Sequence, residues 1–336
     1  MKRRPAANAD LLVAWYRQGH RDLPWRRTTD PYRIWVSEIM LQQTRAQAVI
    51  PYYERFLELF PSAEALAQAP EEDVLAAWSG LGYYSRARNL RRAAQQIAAA
   101  GAFPRTYEAI RELPGIGDYT AAAIASIAFG LPHAVLDGNV LRVVARVEND
   151  FSDIGAPRTR ERFRAAAQHW LEESPEALSH PGAFNQGLME LGATVCLAQK
   201  PLCLLCPLAA ECRARQQGTA EQLPVKLRRT EPVRLSGDLL VVRHRGRVLL
   251  RQREAAARRM PGFWELPTPE HVPGARIRTA IGTFRHTITH HHYTFSVAEA
   301  SGPRPDGPFR WFHPSSMAQI PLSTTARKAL RIAGVL

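Results

Sequence analysis

From about Asp10 to Arg215 the apolar residues return every three to four positions, the period of helices that bury one face. Ala87, Leu90, Ala94 and Ile97 do so between a Gly80/Gly82 break and Gly101, and Phe163, Ala167 and Trp170 repeat the pattern. Pro70 with Glu71 and Glu72 predicts a first helical turn, and Asp118 is placed to cap a helix running to Gly130. Strand signals are nearly absent here. An all-α domain over residues 1–215 follows.

Residues 216–234 lack either period, contain Pro224, Pro232 and the basic run Lys226-Leu227-Arg228-Arg229, and are expected to form a linker. Beyond it, Leu239–Arg243 and Val248–Arg251 are short apolar runs joined through Arg245-Gly246, as in a hairpin. Further strands are expected near Thr279–Phe284, Tyr293–Ala298 and Phe309–Phe312, with a helix near Thr324–Ile332. Residues 235–336 are therefore expected to be an α+β domain in a multidomain chain. The length of 336 residues lets each domain bury its own core, and no internal repeat or long low-complexity tract interrupts either.

Charge narrows the partner. The chain carries 44 basic against 31 acidic residues, net +13, with Arg far outnumbering Lys. This suits bidentate contacts to phosphate and base edges, although Arg-favouring codon usage on a merely soluble surface gives the same count. The charged start Met-Lys-Arg-Arg-Pro is followed by no apolar signal core, and no run approaches the roughly 18 residues of a membrane span. A cytoplasmic location is expected.

The four cysteines are Cys196, Cys203, Cys206 and Cys212, separated by six, two and five residues. Disulfides are rare in a reducing compartment, so four thiols in one short stretch suggest a metal. One close pair with two single outliers fits a cubane iron-sulfur cluster better than the two couples usual for zinc, and a structural zinc is the alternative. Lys200, Arg213 and Arg215 give the stretch a basic rim suited to phosphate.

Leu113-Pro114-Gly115-Ile116-Gly117 lies between two helices, and Gly115 and Gly117 would let backbone N–H groups reach a phosphate at a helix N-terminus. Any tight interhelical turn has the same look. About twenty residues on, Asp137 sits in Leu136-Asp137-Gly138-Asn139-Val140, as a helix cap or as a working carboxylate. Glu38 lies in the apolar run Trp35-Val36-Ser37-Glu38-Ile39-Met40-Leu41, where a carboxyl is either paired or held protonated, as a general acid must be. Cleaving an N-glycosidic bond needs one acid for the leaving base and one carboxylate for the oxocarbenium-like sugar. Glu38 and Asp137 could supply both.

The hairpin, its downstream Asp and the cysteine string together resemble the endonuclease III superfamily of helix-hairpin-helix glycosylases. Within it, Leu23-Pro24-Trp25-Arg26, Val36-Ser37-Glu38-Ile39-Met40-Leu41-Gln42-Gln43-Thr44, Gly80-Leu81-Gly82-Tyr83-Tyr84-Ser85-Arg86-Ala87-Arg88-Asn89-Leu90 and Asn185-Gln186-Gly187-Leu188-Met189-Glu190-Leu191-Gly192 resemble the adenine DNA glycosylase (MutY) family. That resemblance implies that Glu38 protonates a flipped adenine, that Asp137 stabilises the sugar cation and that Asn139 orients Asp137 or the sugar. Bifunctional relatives carry a lysine where this chain has Tyr119, so a monofunctional enzyme is implied, with Tyr119 contacting the sugar or positioning Asp137. By the same match Arg21, Arg26 and Glu190 line the adenine pocket, Leu41 and Gln43 fill space near the lesion, and Tyr83, in preference to Tyr84, wedges into the base stack. The implied cofactor is a [4Fe-4S] cluster. The implied partner is double-stranded DNA with adenine opposite 8-oxoguanine or guanine, bound by a monomer.

The C-terminal domain resembles the Nudix-like module of these glycosylases, best at Pro261-Gly262-Phe263-Trp264-Glu265-Leu266-Pro267, and lacks the Arg-Glu-x-x-Glu-Glu helix of a pyrophosphate hydrolase. The family's Phe-Ser-His lesion-recognition loop finds its nearest match in Phe284-Arg285-His286, at the start of a stretch running to His292, with Arg285 in place of serine. Against this stand a bifunctional lyase, which Tyr119 disfavours, a non-catalytic iron-sulfur DNA-binding protein, which should lack Glu38 or Asp137, and a Nudix hydrolase.

Overall fold

The structure is a computed structural model that describes residues 5–227, 231–254, 256–257, 260–288, 290–302 and 305–336. Arg228 and Arg229 of the basic run and Thr289 of the histidine stretch lie outside the described residues. The chain divides into two compact units, Met1–Ala67 with Arg92–Arg229, and Gln68–Arg91 with Thr230–Leu336. Residues 68–91, expected with the helices, thus group with the C-terminal residues. Helical period shows that a segment buries a face but not which core receives it.

Helices α1 (Pro5–Gln18), α2 (Pro31–Leu41), α3 (Ala46–Leu59), α4 (Ala63–Gln68), α5 (Glu71–Ala77), α6 (Ser85–Ala100), α7 (Tyr107–Arg111), α8 (Asp118–Phe129), α9 (Gly138–Glu148), α10 (Pro157–Glu172), α11 (Pro175–Ser179), α12 (Pro181–Thr194) and α13 (Arg213–Gln216) precede the first strand. The core of the first unit joins Leu12, Val143, Val144, Phe163, Trp170, Phe184 and Leu188, all nearly inaccessible. Helix α8 is buried from Thr120 to Ser126 on every side, as a central helix is, and both α2 and α12 pack on it. Its N-cap is Gly117, whose backbone is extended, and not Asp118, which is already the first helical residue and forms ion pairs with Arg111 and Arg164. Part of the expected linker also packs here: Leu223 is 1% exposed, and Ile154 N–H donates to the Val225 carbonyl at 3.0 Å.

In the second unit β1 (Val233–His244), β2 (Arg247–Gln252), β3 (Trp264–Glu265), β4 (Arg276–Ile288), β5 (His291–Ser301) and β6 (Phe309–Phe312) precede α14 (Thr324–Ile332). The strand order is β3-β2-β1-β5-β4, with β6 paired to β2. Leu239-Leu240-Val241-Val242 is buried on both faces: Leu239 and Val241 meet Leu330 of α14, while Leu240 and Val242 meet Val272 and Phe309.

Strand β4 does not stop at Phe284. Phe284, Arg285 and His286, expected in a loop, pair with Phe295, Thr294 and Tyr293 of β5, and the ladder continues to Ile288. The reason is visible in the side chains: Phe284, His286 and Ile288 are half-buried while Arg285 and Thr287 are exposed, the period of two that sustains a strand. No helix among the described residues is long and apolar enough to cross a membrane.

Candidate active site

Helix α2 begins where Asp30 accepts the Arg33 N–H at 2.9 Å and Pro31 occupies the first turn. It then runs almost wholly buried to Met40, so Glu38 is carried inside at 4% exposure. Its Oε2 is buried with no hydrogen-bond partner, and Glu38 lines a cavity of about 810 Å³ together with Tyr119, Asp137 and Asn139. Burial pushes the Glu38 carboxyl up to about 7, against a hydrogen bond with Tyr119 and aided by the charge of Asp137. The Tyr119 hydroxyl, on α8, also lies 3.0 Å from Met189 Sδ, and burial beside both carboxylates holds its phenol protonated.

Asp137 is both cap and cavity wall. Its Oδ1 accepts the Val140 N–H at 2.8 Å, which opens α9, and its Oδ2 accepts Asn139 Nδ2 at 3.0 Å. Burial raises its carboxyl, and these hydrogen bonds with the nearby Arg142 charge pull it back, leaving it raised overall. Arg142 Nη2 donates to Asn139 Oδ1 at 2.9 Å and to the Gly192 carbonyl at 2.7 Å, and its Nε donates to the Cys196 carbonyl at 2.7 Å.

Arg21, Arg26, Leu41 and Gln43 line the same cavity. Glu190 stands behind them and anchors the two arginines: Arg21 Nη2 and Arg26 Nη2 each donate to its Oε2 at 2.7 Å. Burial pushes the Glu190 carboxyl up, but the bonds from Arg21 and Arg26 overcome this and lower it to about 2. Gln43 has a left-handed backbone with positive φ, a strain that its surroundings must hold in place. Sequence reasoning did not single out Gln42, Arg45, Gln186 and Met189 as cavity residues, although they stand in or beside the quoted motifs.

The hairpin turns at Gly115, whose φ is positive, and a Cβ on Gly117 would meet nothing within 4 Å. The backbone at the start of α8 is therefore open to a ligand. Tyr83, 43% exposed, and Phe284, Arg285 and His286 belong to the second unit. There the Phe284 ring stacks on Phe295 at 5.3 Å and lies under Lys328 Nζ at 5.8 Å, and burial with the Lys328 charge lowers the His286 imidazole.

Cys196, Cys203, Cys206 and Cys212 line one small cavity, although no group of three or more ligands among the described residues converges to hold a single metal ion. Four cysteine thiols around one space are a donor set of the kind that holds an iron-sulfur cluster. Burial and mutual repulsion raise Cys206 to about 12 and raise Cys212, so thiolates here need a cationic group among them. The fully buried Arg146 binds the stretch, with Nη1 3.2 Å from Cys196 Sγ and 2.6 Å from the Leu197 carbonyl.

The family model for HhH-GPD superfamily base excision DNA repair proteins matches residues 36–171, and that for the NUDIX domain matches residues 239–331. The chain is 45% identical over 223 residues to the adenine DNA glycosylase of Homo sapiens, covering 63% of this chain and 40% of that one. It thus spans about two fifths of that relative's length. To the adenine DNA glycosylase of Buchnera aphidicola subsp. Acyrthosiphon pisum it is 37% identical over 249 residues, covering 73% of this chain and 69% of the relative. The chain belongs to the adenine DNA glycosylase family. A solved thermostable thymine-DNA glycosylase is similar over 64% of the chain and 97% of its own length, with TM-score 0.55 and 28% identity. In this adenine DNA glycosylase family member, the first matched region carries Glu38, Tyr119, Asp137 and Asn139, the second carries Phe284, Arg285 and His286, and the cysteines lie between the two.

Proposed function

We propose that this chain is a monofunctional adenine DNA glycosylase of base excision repair, which flips and excises adenine opposite 8-oxoguanine or guanine in double-stranded DNA. The observation that carries the reading is the buried Glu38, one carboxyl oxygen of which has no hydrogen-bond partner, lining the same cavity as Asp137. A carboxyl raised to about 7 keeps its proton near neutral pH and gives it to the departing adenine. Asp137, fixed by Val140 and Asn139, sets its negative charge against the developing sugar cation. Water completes the substitution and leaves an abasic site. Tyr119 offers no amine, so no Schiff base forms and the strand stays whole.

Arg21 and Arg26, held by Glu190, border the space for the base, with Leu41 and Gln43 toward the lesion. The open amides at Gly115 and Gly117 hold a phosphate, and Tyr83 fills the gap in the stack. Phe284, Arg285 and His286 select the base opposite. Cys196, Cys203, Cys206 and Cys212 hold a [4Fe-4S] cluster, which would cross-link their loop and supply a redox centre when bound. The working form is a cytoplasmic, nucleoid-associated monomer.

Incubation with duplexes carrying adenine opposite 8-oxoguanine, guanine or thymine, each analysed with and without alkali, tests the reading. Breaks that require alkali, fastest opposite 8-oxoguanine, are expected. Breaks without alkali, or equal release opposite thymine, would contradict it.

A further inference from the structure

Tyr83 sits on an unusual backbone. Gly80, Gly82 and Tyr83 all have positive φ, and for a tyrosine that conformation is strained and persists only where its surroundings impose it. The turn is clamped from within: Trp78 Nε1 donates to the Gly82 carbonyl at 3.2 Å, and Arg86 Nη2 donates to the Leu81 and Gly82 carbonyls at 3.2 and 3.1 Å. The Arg86 guanidinium lies 5.5 Å from the centroids of both the Tyr83 and Trp78 rings. At that range a cation is attracted to both ring faces.

What holds the clamp in turn comes from the C-terminal residues of the same unit. Tyr84, adjacent to the exposed Tyr83, is buried with its ring 4.1 Å from that of Phe263, which is itself 0% exposed. Arg88 Nη2 donates to the Pro261 carbonyl at 2.6 Å. Arg327 Nη2, from α14, donates to Ser79 Oγ at 2.6 Å, and Ser79 Oγ donates to the Leu322 carbonyl at 3.5 Å. The contacts bracket the turn on both sides, at Ser79 before it and at Tyr84 and Arg88 after it.

We infer that Phe263, Arg88 and Arg327 are positioning residues for Tyr83, and that the C-terminal half of the unit presents this tyrosine to the DNA stack. The inference rests on the wedge role proposed for Tyr83. It gives the Pro261–Phe263 run a use other than nucleotide hydrolysis. It also means that a truncation after residue 234 removes the support of the wedge together with Phe284, Arg285 and His286.

The test uses full-length Phe263→Leu, Arg88→Gln and Arg327→Gln, each alone and combined with Tyr83→Ala. Adenine release is followed in single turnover on an A:8-oxoguanine duplex, and on the same duplex with an abasic site beside the 8-oxoguanine, where no stack remains to be wedged. On the intact duplex each single variant should lose about tenfold, and each double no more than Tyr83→Ala alone, since residues acting through one group are not additive. On the interrupted duplex all should stay within about twofold of wild type. Multiplying losses in the doubles, or equal losses on both duplexes, would overturn the inference. The two Arg→Gln variants keep the test alive if Phe263→Leu does not fold.

A second readout does not depend on catalysis: the fluorescence of 2-aminopurine beside the 8-oxoguanine should rise on binding wild type and less with each variant. An unchanged rise in the variants overturns the inference. A wild type that raises fluorescence but releases no adenine counts against the glycosylase reading alone.

Discussion

Asn139 Nδ2 donates to Asp137 Oδ2 at 3.0 Å, and the glycine facing Asn139 permits that geometry. A Cβ on Gly192 would come within 2.5 Å of Asn139 Cβ and 3.1 Å of its Cα, too close for α12 and α9 to keep their separation. Gly192→Ala should therefore displace Asn139 and lower the single-turnover rate about 100-fold, the scale of a misplacement of about 1 Å. A crystal structure of the variant with Asn139 unmoved, or an unchanged rate, would refute this.

Glu38 should cost the fold stability as pH rises. Its folded carboxyl titrates near 7 and its ordinary value is 4.5, so the folded state binds the proton more tightly. Stability attributable to this group is full below pH 4.5, falls as pH climbs, and levels off above 7. The span corresponds to about 3 kcal/mol. Glu38→Gln should erase that slope, so that urea unfolding finds the variant more stable than wild type at pH 8 and not at pH 4. Parallel stability profiles for the two proteins would show that Glu38 is not held protonated by burial.

The cysteine cavity predicts a brown protein with about four irons per chain when purified without oxygen. Arg146, whose guanidinium reaches Cys196 Sγ and the Leu197 carbonyl, should matter to retention. Arg146→Lys should lose iron faster to a chelator, because an ammonium cannot keep the planar, multiply bonded arrangement. Zinc without iron in the wild type would overturn the assignment.

Tyr119 predicts weak trapping by borohydride, since a phenol forms no imine with the sugar. Tyr119→Lys should raise the cross-linked fraction. Strong trapping in the wild type would mean another amine does the work of a lyase.

Part of the candidate site's geometry is legible in the sequence. Glu38 stood out as a carboxyl in an apolar run, and the run proved to be a buried helix. Asp137 left cap and catalyst as rivals in the sequence, but in the structure the capping bonds are what fix the oxygen atoms at the cavity wall. Gly192 was illegible, because its importance lies in the approach of a helix some fifty residues away. Residues 68–91 carry the same period as their neighbours, so nothing local told that they join the C-terminal core. The Phe284-Arg285-His286 run matches a loop in the family's pattern, although its own alternation of half-buried and exposed positions suits a strand.

The proposed mechanism divides base release between Glu38 as acid and Asp137 as the charge against the sugar cation. Single-turnover adenine release by Glu38→Gln and Asp137→Asn is recorded from pH 5 to 9 on an A:8-oxoguanine duplex, beside a binding titration at fixed salt. An amide keeps the size of a carboxyl but supplies neither a carboxylic proton nor a charge. Each variant should lose at least about 1,000-fold in rate while binding within a few-fold of wild type, since phosphate contacts dominate affinity. The wild-type profile should be a bell: falling above about 7, where the Glu38 proton leaves, and below the raised value of Asp137, where its charge is lost, with both limbs belonging to the pair. Near wild-type release by either variant would contradict the mechanism.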